Sequence, residues 1–254
     1  MSKLTNIIGV IGIEKNWYMD LLDRLKLVRQ DYITFHLRNG IDIKARSGTF
    51  DRSAIREVFL FKTYNPKGFE INKGDIVVDI GAHIGTFSLY ASQFADRVYS
   101  FEPVSENYNL LGHNIVANYF AWRKIASEKK AVSNTIGKRK IGVTSWNTGG
   151  NSFYQKGDNS EIVETTTLRE IMRKYQLPRI DFLKMDCEGA EFEILFNATD
   201  RMLKKIGKIS MECHGISREC TIHSMADFLI RKGFTVRCVM NDASTPSGML
   251  YAKR

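Results

Sequence analysis

The feature that most constrains this chain is the stretch "VVDIGAHIGTFSLYAS", residues 77 to 92. An apolar strand ends at Asp79, turns through Gly81 and Gly85, and re-enters as an amphipathic stretch that reads as a helix. The same alternation recurs downstream. "RVYSFEP" runs into a helical pattern expected to be capped by Ser105, with Tyr108, Leu111 and Ile115 inward. "IDFLKMD" precedes "GAEFEILFNA", and "GKISMECHG" precedes a helix expected from about His223 to Lys232 and ended by Gly233. Two further strands, "FTVRCVM" and "GMLYAKR", are joined by a polar turn. Strands alternating with helices predict an α/β fold with an open, doubly wound, mostly parallel sheet and an antiparallel strand near the C-terminal end.

Residues 1–70 carry a different pattern and predict a small N-terminal cap, with residues 71–254 as the main domain. "YMDLLDRLKLV" reads as a helix, and "YITFHLRNGIDIKAR" as a hairpin turning at Asn39-Gly40. "RSAIREVFLFKTY" reads as a second helix. The cap runs into the first core strand without a linker, so it is expected to help close the site. No run reaches the length of about 18 apolar residues that a membrane span needs. The four cysteines, Cys187, Cys213, Cys220 and Cys238, lack CxxC spacing, which argues for reduced thiols and against a zinc ribbon. A cytoplasmic location is the expectation.

In doubly wound sheets ligands bind beyond the carboxyl ends of the strands, where strand order reverses. A pyrophosphate loop would favour G-x-G-x-x-G, whereas this loop has G-x-x-x-G with His83 and Ile84 inside it and Asp79 before it. That makes a poor phosphate cradle and a good one for a cationic amine. Glu102, ending the next strand, is placed to accept both hydroxyls of an unphosphorylated ribose. The helix N-terminus behind Gly81 can face a carboxylate. An ammonium site, a ribose site and no phosphate cradle describe S-adenosylmethionine better than NAD.

The blocks "VVDIGAHIGTFSLYAS", "VYSFEPVSENYNLLGHNI", "AVSN", "TTTLREI", "IDFLKMDCEGAEFEIL" and "ISMECHG" occur in this order. Together they resemble the FkbM-type methyltransferases, which use S-adenosylmethionine and mostly methylate hydroxyls of polyketides, sugars and lipids. The resemblance spans roughly residues 50 to 254. It implies a seven-stranded Rossmann-like sheet and carries cofactor roles onto Asp79, Gly81, Glu102 and Pro103. His83, which stands where the family often has Asn, joins Gly85, Thr86, Asn107, Val132 and Asp186 in the expected set of cofactor contacts.

Two strand ends remain for the acceptor, "LKMDCEGAE" and "SMECHG". An alcohol needs help to lose its proton, because its free pKa lies far above neutrality. Asp186, Glu188, Glu212 and His214 are the candidate catalytic residues. In one scheme His214 is the base, oriented by Glu212 or Asp186 and titrating near the ordinary value of about 6.5. In the other a divalent metal sits on Asp186 with Glu212 or His214. Lys184 is expected to pair with a carboxylate. The expected acceptor is a hydroxyl-bearing small molecule or glycan. The formal charge of +9 leaves RNA methylation as an alternative, and a non-catalytic cofactor-binding module as another. After the fourth core strand the chain reads DCEG, not the [DN]-P-P-[FYW] of base-amine methylation, and Cys187 lacks the preceding Pro of base-carbon methylation. "SWNTGGNSFYQKGDNS" (145–160) is expected to form an acceptor-side lid, with Asn151 and Ser152 bonding substrate or cofactor.

Overall fold

The computed structural model describes residues 3–240 and 247–254, with side chains from Ile7 onward. The N-terminal part comprises α1 (Lys3–Ile13), α2 (Tyr18–Arg24), the strands β1 (Tyr32–His36) and β2 (Asp42–Arg46), and α3 (Asp51–Phe59). The hairpin pairs Tyr32 with Arg46 through His36 with Asp42, and Gly40 takes the left-handed φ of 88° that the turn requires. The helix expected to reach Tyr64 stops at Phe59. Lys62, at φ 53°, turns the chain so that Tyr64 enters the interior.

The core follows in order: β3 (Ile76–Ile80), α4 (Thr86–Ser92), β4 (Arg97–Phe101), α5 (Ser105–Ala117), α6 (Tyr119–Trp122), β5 (Ile125–Glu128) and β6 (Ala131–Val132). Then come β7 (Gly137–Val143), β8 (Asn159–Thr166), α7 (Leu168–Lys174), β9 (Ile180–Met185), α8 (Glu191–Phe196), α9 (Asp200–Leu203) and β10 (Ile206–Cys213). The chain closes with α10 (Ile222–Arg231), β11 (Thr235–Met240) and β12 (Gly248–Lys253). The seven-stranded sheet has the order β11-β12-β10-β9-β3-β4-β5. Pairings from β10 to β5 are parallel, and β12 runs antiparallel to both neighbours. Strand order reverses at β3, between β4 and β9, which sets the ligand crevice there. Residues 241–246, where the polar turn before β12 was expected, lie outside the described residues.

The period-2 alternation of β3 and β9 divides the core. Val78, Ile80, Leu183 and Met185 pack with α7, α8 and α10 on one face. Val77 and Phe182 pack with α4 and α5 on the other. That second cluster also contains Ile33, Phe35, Ile41, Ile43 and Ala45 of the hairpin, so the N-terminal part shares a continuous core with the sheet. Two asparagines secure the join. Asn114 accepts from the backbone N–H of Lys44 at 2.8 Å and donates to its carbonyl at 3.0 Å. Asn118 does the same at Asp42, at 3.0 and 2.8 Å. Their amides thus satisfy the free edge of β2, as a neighbouring strand would.

The sequence pattern missed a second sheet, β6-β8-β7, because lysines and short polar residues interrupt its apolar alternation. Ser105 also departs from expectation. It starts α5 without capping it, and its hydroxyl and N–H both donate to Glu161 of β8. Among the described residues no helix is long and apolar enough to cross a membrane. The four cysteines are free, with Cys213 buried and the others partly so.

Candidate active site

A cleft opens beyond the carboxyl ends of β3, β4, β9 and β10. The loop after β3 forms its floor. Gly81 has φ 76°, and a Cβ there would lie 1.7 Å from the carbonyl oxygen of Asp186. Glycine is required because the β3 and β9 loops touch at this point. Gly85 has φ 89° and does not line the cleft; a Cβ on it would meet Leu111 at 2.5 Å, so it serves the packing of α4 on α5. Thr86, 3% exposed, lines the cleft with its Oγ1 buried and without a hydrogen-bond partner.

Asp79 departs from its expected role. Its side chain leaves β3 on the same face as Val77 and lies beneath α4, away from the cleft, wholly buried. There it accepts from Ser88 at 2.6 Å and pairs with Lys184 Nζ at 3.1 Å. Lys184 pairs with a carboxylate, as expected, and also donates to the Gly81 carbonyl at 2.6 Å. Burial would lower its pKa, but Asp79 and Asp186 outweigh burial and hold the ammonium charged. The Asp79–Lys184 pair therefore braces the glycine turn from behind.

Glu102, Pro103, Asn107, His83 and Val132 all line the cleft. Glu102 Oε2 accepts the His83 N–H at 2.8 Å, and Oε1 accepts the Val104 N–H at 3.0 Å. Burial pushes this carboxyl up, against the opposing charge of His83 and the backbone donors. Its remaining lone pairs are available to a ligand hydroxyl.

On the opposite side, Asp186, Glu212 and His214 converge, each offering one donor atom within 4.8 Å of the others. Glu188 joins them, its Oε2 lying 3.5 Å from His214 Nε2. Glu191, fully buried in the first turn of α8, accepts the Cys187 and Gly189 N–H groups at 2.9 Å each and lies 3.4 Å from His214 Nδ1. Burial alone would lower the imidazole pKa. Glu191, Glu188 and Asp186 outweigh burial and hold it up at about 10. These carboxylates favour the protonated imidazole, where the sequence led to the expectation of a base titrating near its ordinary value.

Several residues of the cleft were not singled out in the sequence. Tyr64 lines it and donates its hydroxyl to Asp186 Oδ2 at 2.7 Å. Glu57, from α3, lines it with a carboxyl that burial and the charges of Asp186 and Glu212 raise to about 7. Both lie in the N-terminal part, where the sequence shows no motif to mark them. The expected lid is more ordered than its composition suggested. Asn151 lines the cleft, but its amide bonds the Thr148 carbonyl and the Thr144 N–H. Ser152 is buried and donates to the Glu188 carbonyl at 2.7 Å, so it holds the β9 loop and does not line the cleft.

Comparison with known proteins identifies the family. The family model "Methyltransferase FkbM domain" matches residues 79–236. The chain is 25% identical over 236 residues to the 31-O-demethyl-FK506 methyltransferase FkbM of Streptomyces tacrolimicus, covering 80% of this chain and 89% of that protein. It is also 25% identical over 191 residues to methyltransferase sdnD of Sordaria araneosa, covering 62% of this chain and 72% of that protein. Among solved structures, the methyltransferase FkbM of Methylobacillus flagellatus KT superposes with a TM-score of 0.51 at 16% identity. That match covers 78% of this chain and 52% of the other, so this chain spans about half the length of that relative. The methyl donor of this family is S-adenosylmethionine. The chain belongs to the FkbM methyltransferase family.

Proposed function

We propose that the protein methylates a hydroxyl of a small-molecule, sugar, lipid or glycan acceptor. The observation that carries this reading is the convergence of Asp186, Glu212 and His214 in the cleft that Glu102 and Gly81 also line. The residues present fit the cofactor. Glu102 retains acceptor capacity for a ribose, Thr86 has a buried hydroxyl without a partner, and Pro103, Asn107 and Val132 line the same end. Bound S-adenosylmethionine supplies an electrophilic methyl group on a sulfonium, open to in-line displacement.

The chain's own residues have two tasks. They align the acceptor, and they take its proton. Asp186, steadied by the Tyr64 hydroxyl, orients the acceptor oxygen by accepting its hydrogen bond. Glu188, whose carboxyl burial and the neighbouring carboxylates raise to about 7, is the group beside His214 suited to receive a proton at neutral pH, since the same carboxylates favour the protonated imidazole. Asp186, Glu212 and His214 also have the donor set to hold a divalent cation that would lower the hydroxyl pKa. A chelator distinguishes the two: it abolishes turnover only if a metal is needed, and added divalent ions then restore it.

The lining favours an uncharged or cationic acceptor. Among the described residues it contains Glu57, Glu102, Asp186, Glu188 and Glu212 but no arginine; its one lysine, Lys184, is engaged by Asp79, and His214 by Glu188 and Glu191. A nucleic-acid phosphate would meet carboxylates there. Incubating the protein with methyl-labelled cofactor and a fractionated extract tests the reading. The label should enter a non-nucleic-acid fraction as an alkali-stable methyl ether. Label recovered only in RNA, or as N-methyl, would overturn it.

A further inference from the structure

Residues 1–78 lie outside the matched family segment, yet a buried ion pair among them reaches the ribose end of the cleft. Asp51 is fully buried at the start of α3. Its Oδ2 accepts Arg46 Nε at 2.9 Å, and its Oδ1 accepts Arg46 Nη2 at 3.0 Å. Oδ1 also serves two groups from the core. The Thr148 hydroxyl donates to it at 2.6 Å, and His83 Nε2 lies 3.2 Å away. Arg46 Nη2 in turn donates to Asn107 Oδ1 at 2.7 Å. Asn107 Nδ2 donates to the Thr148 carbonyl at 2.9 Å and reaches Glu102 Oε1 at 3.4 Å. One carboxylate thus joins the N-terminal part, the glycine turn and the loop after β7. Burial by itself would push the Asp51 carboxyl up, but His83 and Arg46 hold it well below the usual range.

Within the loop after β7, Asn151 bonds Thr144 and Thr148 and Ser145 bonds Asp158, but the side-chain hydrogen bonds to the N-terminal part run through Thr148. Trp146 is 60% exposed and meets Phe50 edge-on, whereas Thr148 is 4% exposed. Thr148 is where this part of the loop is anchored. Both its hydroxyl and its carbonyl are spent on the network around Glu102.

We infer that Asp51 and Arg46 are positioning residues for the cofactor, acting through Thr148, His83 and Asn107. They hold the glycine-rich loop closed over the ribose end and fix the side chains around Glu102. The inference rests on the reading of Glu102 as the ribose acceptor. A site ordered beforehand binds more tightly, because less freedom is lost on binding. Cofactor affinity therefore depends on a segment that precedes the family's motifs.

Thr148→Val is the informative variant, since it removes one hydroxyl and leaves the Asp51–Arg46 pair intact. Amide hydrogen exchange on the full chain without ligand reads the clamp. Calorimetry with S-adenosylhomocysteine reads its coupling to the site, and thermal melting controls for the fold. Expected are a melting temperature near that of the unmodified protein, faster exchange over residues 147–151, cofactor-product affinity weaker by about tenfold, and recovery of both in Thr148→Ser. Unchanged exchange in Thr148→Val shows that the clamp does not exist. Faster exchange with unchanged affinity overturns the coupling. If the unmodified protein binds no S-adenosylhomocysteine, the cofactor reading fails and the proposed positioning role fails with it, while the exchange data still decide the clamp.

Discussion

The hydroxyl of Tyr64 donates to Asp186 Oδ2 at 2.7 Å, so a residue outside the matched family segment touches the Asp186, Glu212 and His214 group. Tyr64 is itself buried, and the Lys184 ammonium lies 5.1 Å from its ring centroid. Tyr64→Phe removes only the hydrogen bond. A hydrogen bond to a charged group is worth about 1.5–3 kcal/mol, and only its part felt in the transition state slows turnover. Turnover should fall by roughly tenfold at unchanged cofactor affinity. Steady-state kinetics combined with calorimetry would check this, and a loss confined to cofactor binding would count against it.

Gly81 should tolerate no side chain. Alanine there would combine an unfavourable φ of 76° with a Cβ 1.7 Å from the Asp186 carbonyl oxygen. The β3 and β9 loops would have to separate, and both halves of the cleft would move. Gly81→Ala is expected to lose cofactor binding and turnover together and to destabilise the fold by more than about 2 kcal/mol. Denaturant unfolding with and without ligand measures both effects. A variant that unfolds at the wild-type midpoint would show that the contact is relieved easily.

Glu102 should govern cofactor recognition without governing chemistry. Glu102→Ala removes the proposed ribose acceptor and frees the His83 and Val104 N–H groups. Cofactor affinity should weaken by about tenfold or more. Turnover at saturating cofactor should change far less. Titration calorimetry on the variant decides the first part, and kinetics at high cofactor concentration decides the second.

Glu14 gives a stability prediction with a defined sign. It is 1% exposed, neither carboxylate oxygen has a hydrogen-bond partner, and burial followed by the charge of Asp20 raises its pKa to about 8. In the unfolded chain it titrates near the ordinary glutamate value of 4.5. Between these values the folded protein holds a proton that the unfolded chain has released, so this group's contribution to stability declines as pH rises through that window. Glu14→Gln removes the dependence. Melting curves should show the variant gaining on the wild-type protein from pH 5 to pH 9, and parallel curves would contradict the assignment.

Much of this arrangement was legible in the chain. The alternation of apolar strands with helices marks the parallel sheet, and strand-end acids at Glu102, Asp186 and Glu212 mark the crevice, because side chains there must face its opening. Asp79 was harder. Strand alternation places it with Val77 beneath α4, and only the position of α4 shows that this face is closed. Gly85 answers to Leu111, a contact between two helices that the local sequence does not encode. Tyr64, Glu57 and the Arg46–Asp51 pair reach the site through tertiary docking of the hairpin by Asn114 and Asn118, so no local motif announces them. The imidazole of His214 needed its neighbours as well, since a raised pKa follows from the three-dimensional placement of Glu191 and Glu188.

The central claim is that one cleft holds the cofactor at Glu102 and delivers an acceptor hydroxyl to the Asp186 group. The most direct measurement is single-turnover transfer from methyl-labelled S-adenosylmethionine to an identified acceptor, comparing Asp186→Asn with the unmodified protein at equal cofactor occupancy. The account predicts an O-methyl product from the unmodified protein, and transfer slowed by about 10²-fold or more in the variant. Methyl found on nitrogen or carbon, or transfer by Asp186→Asn at the unmodified rate, would contradict it.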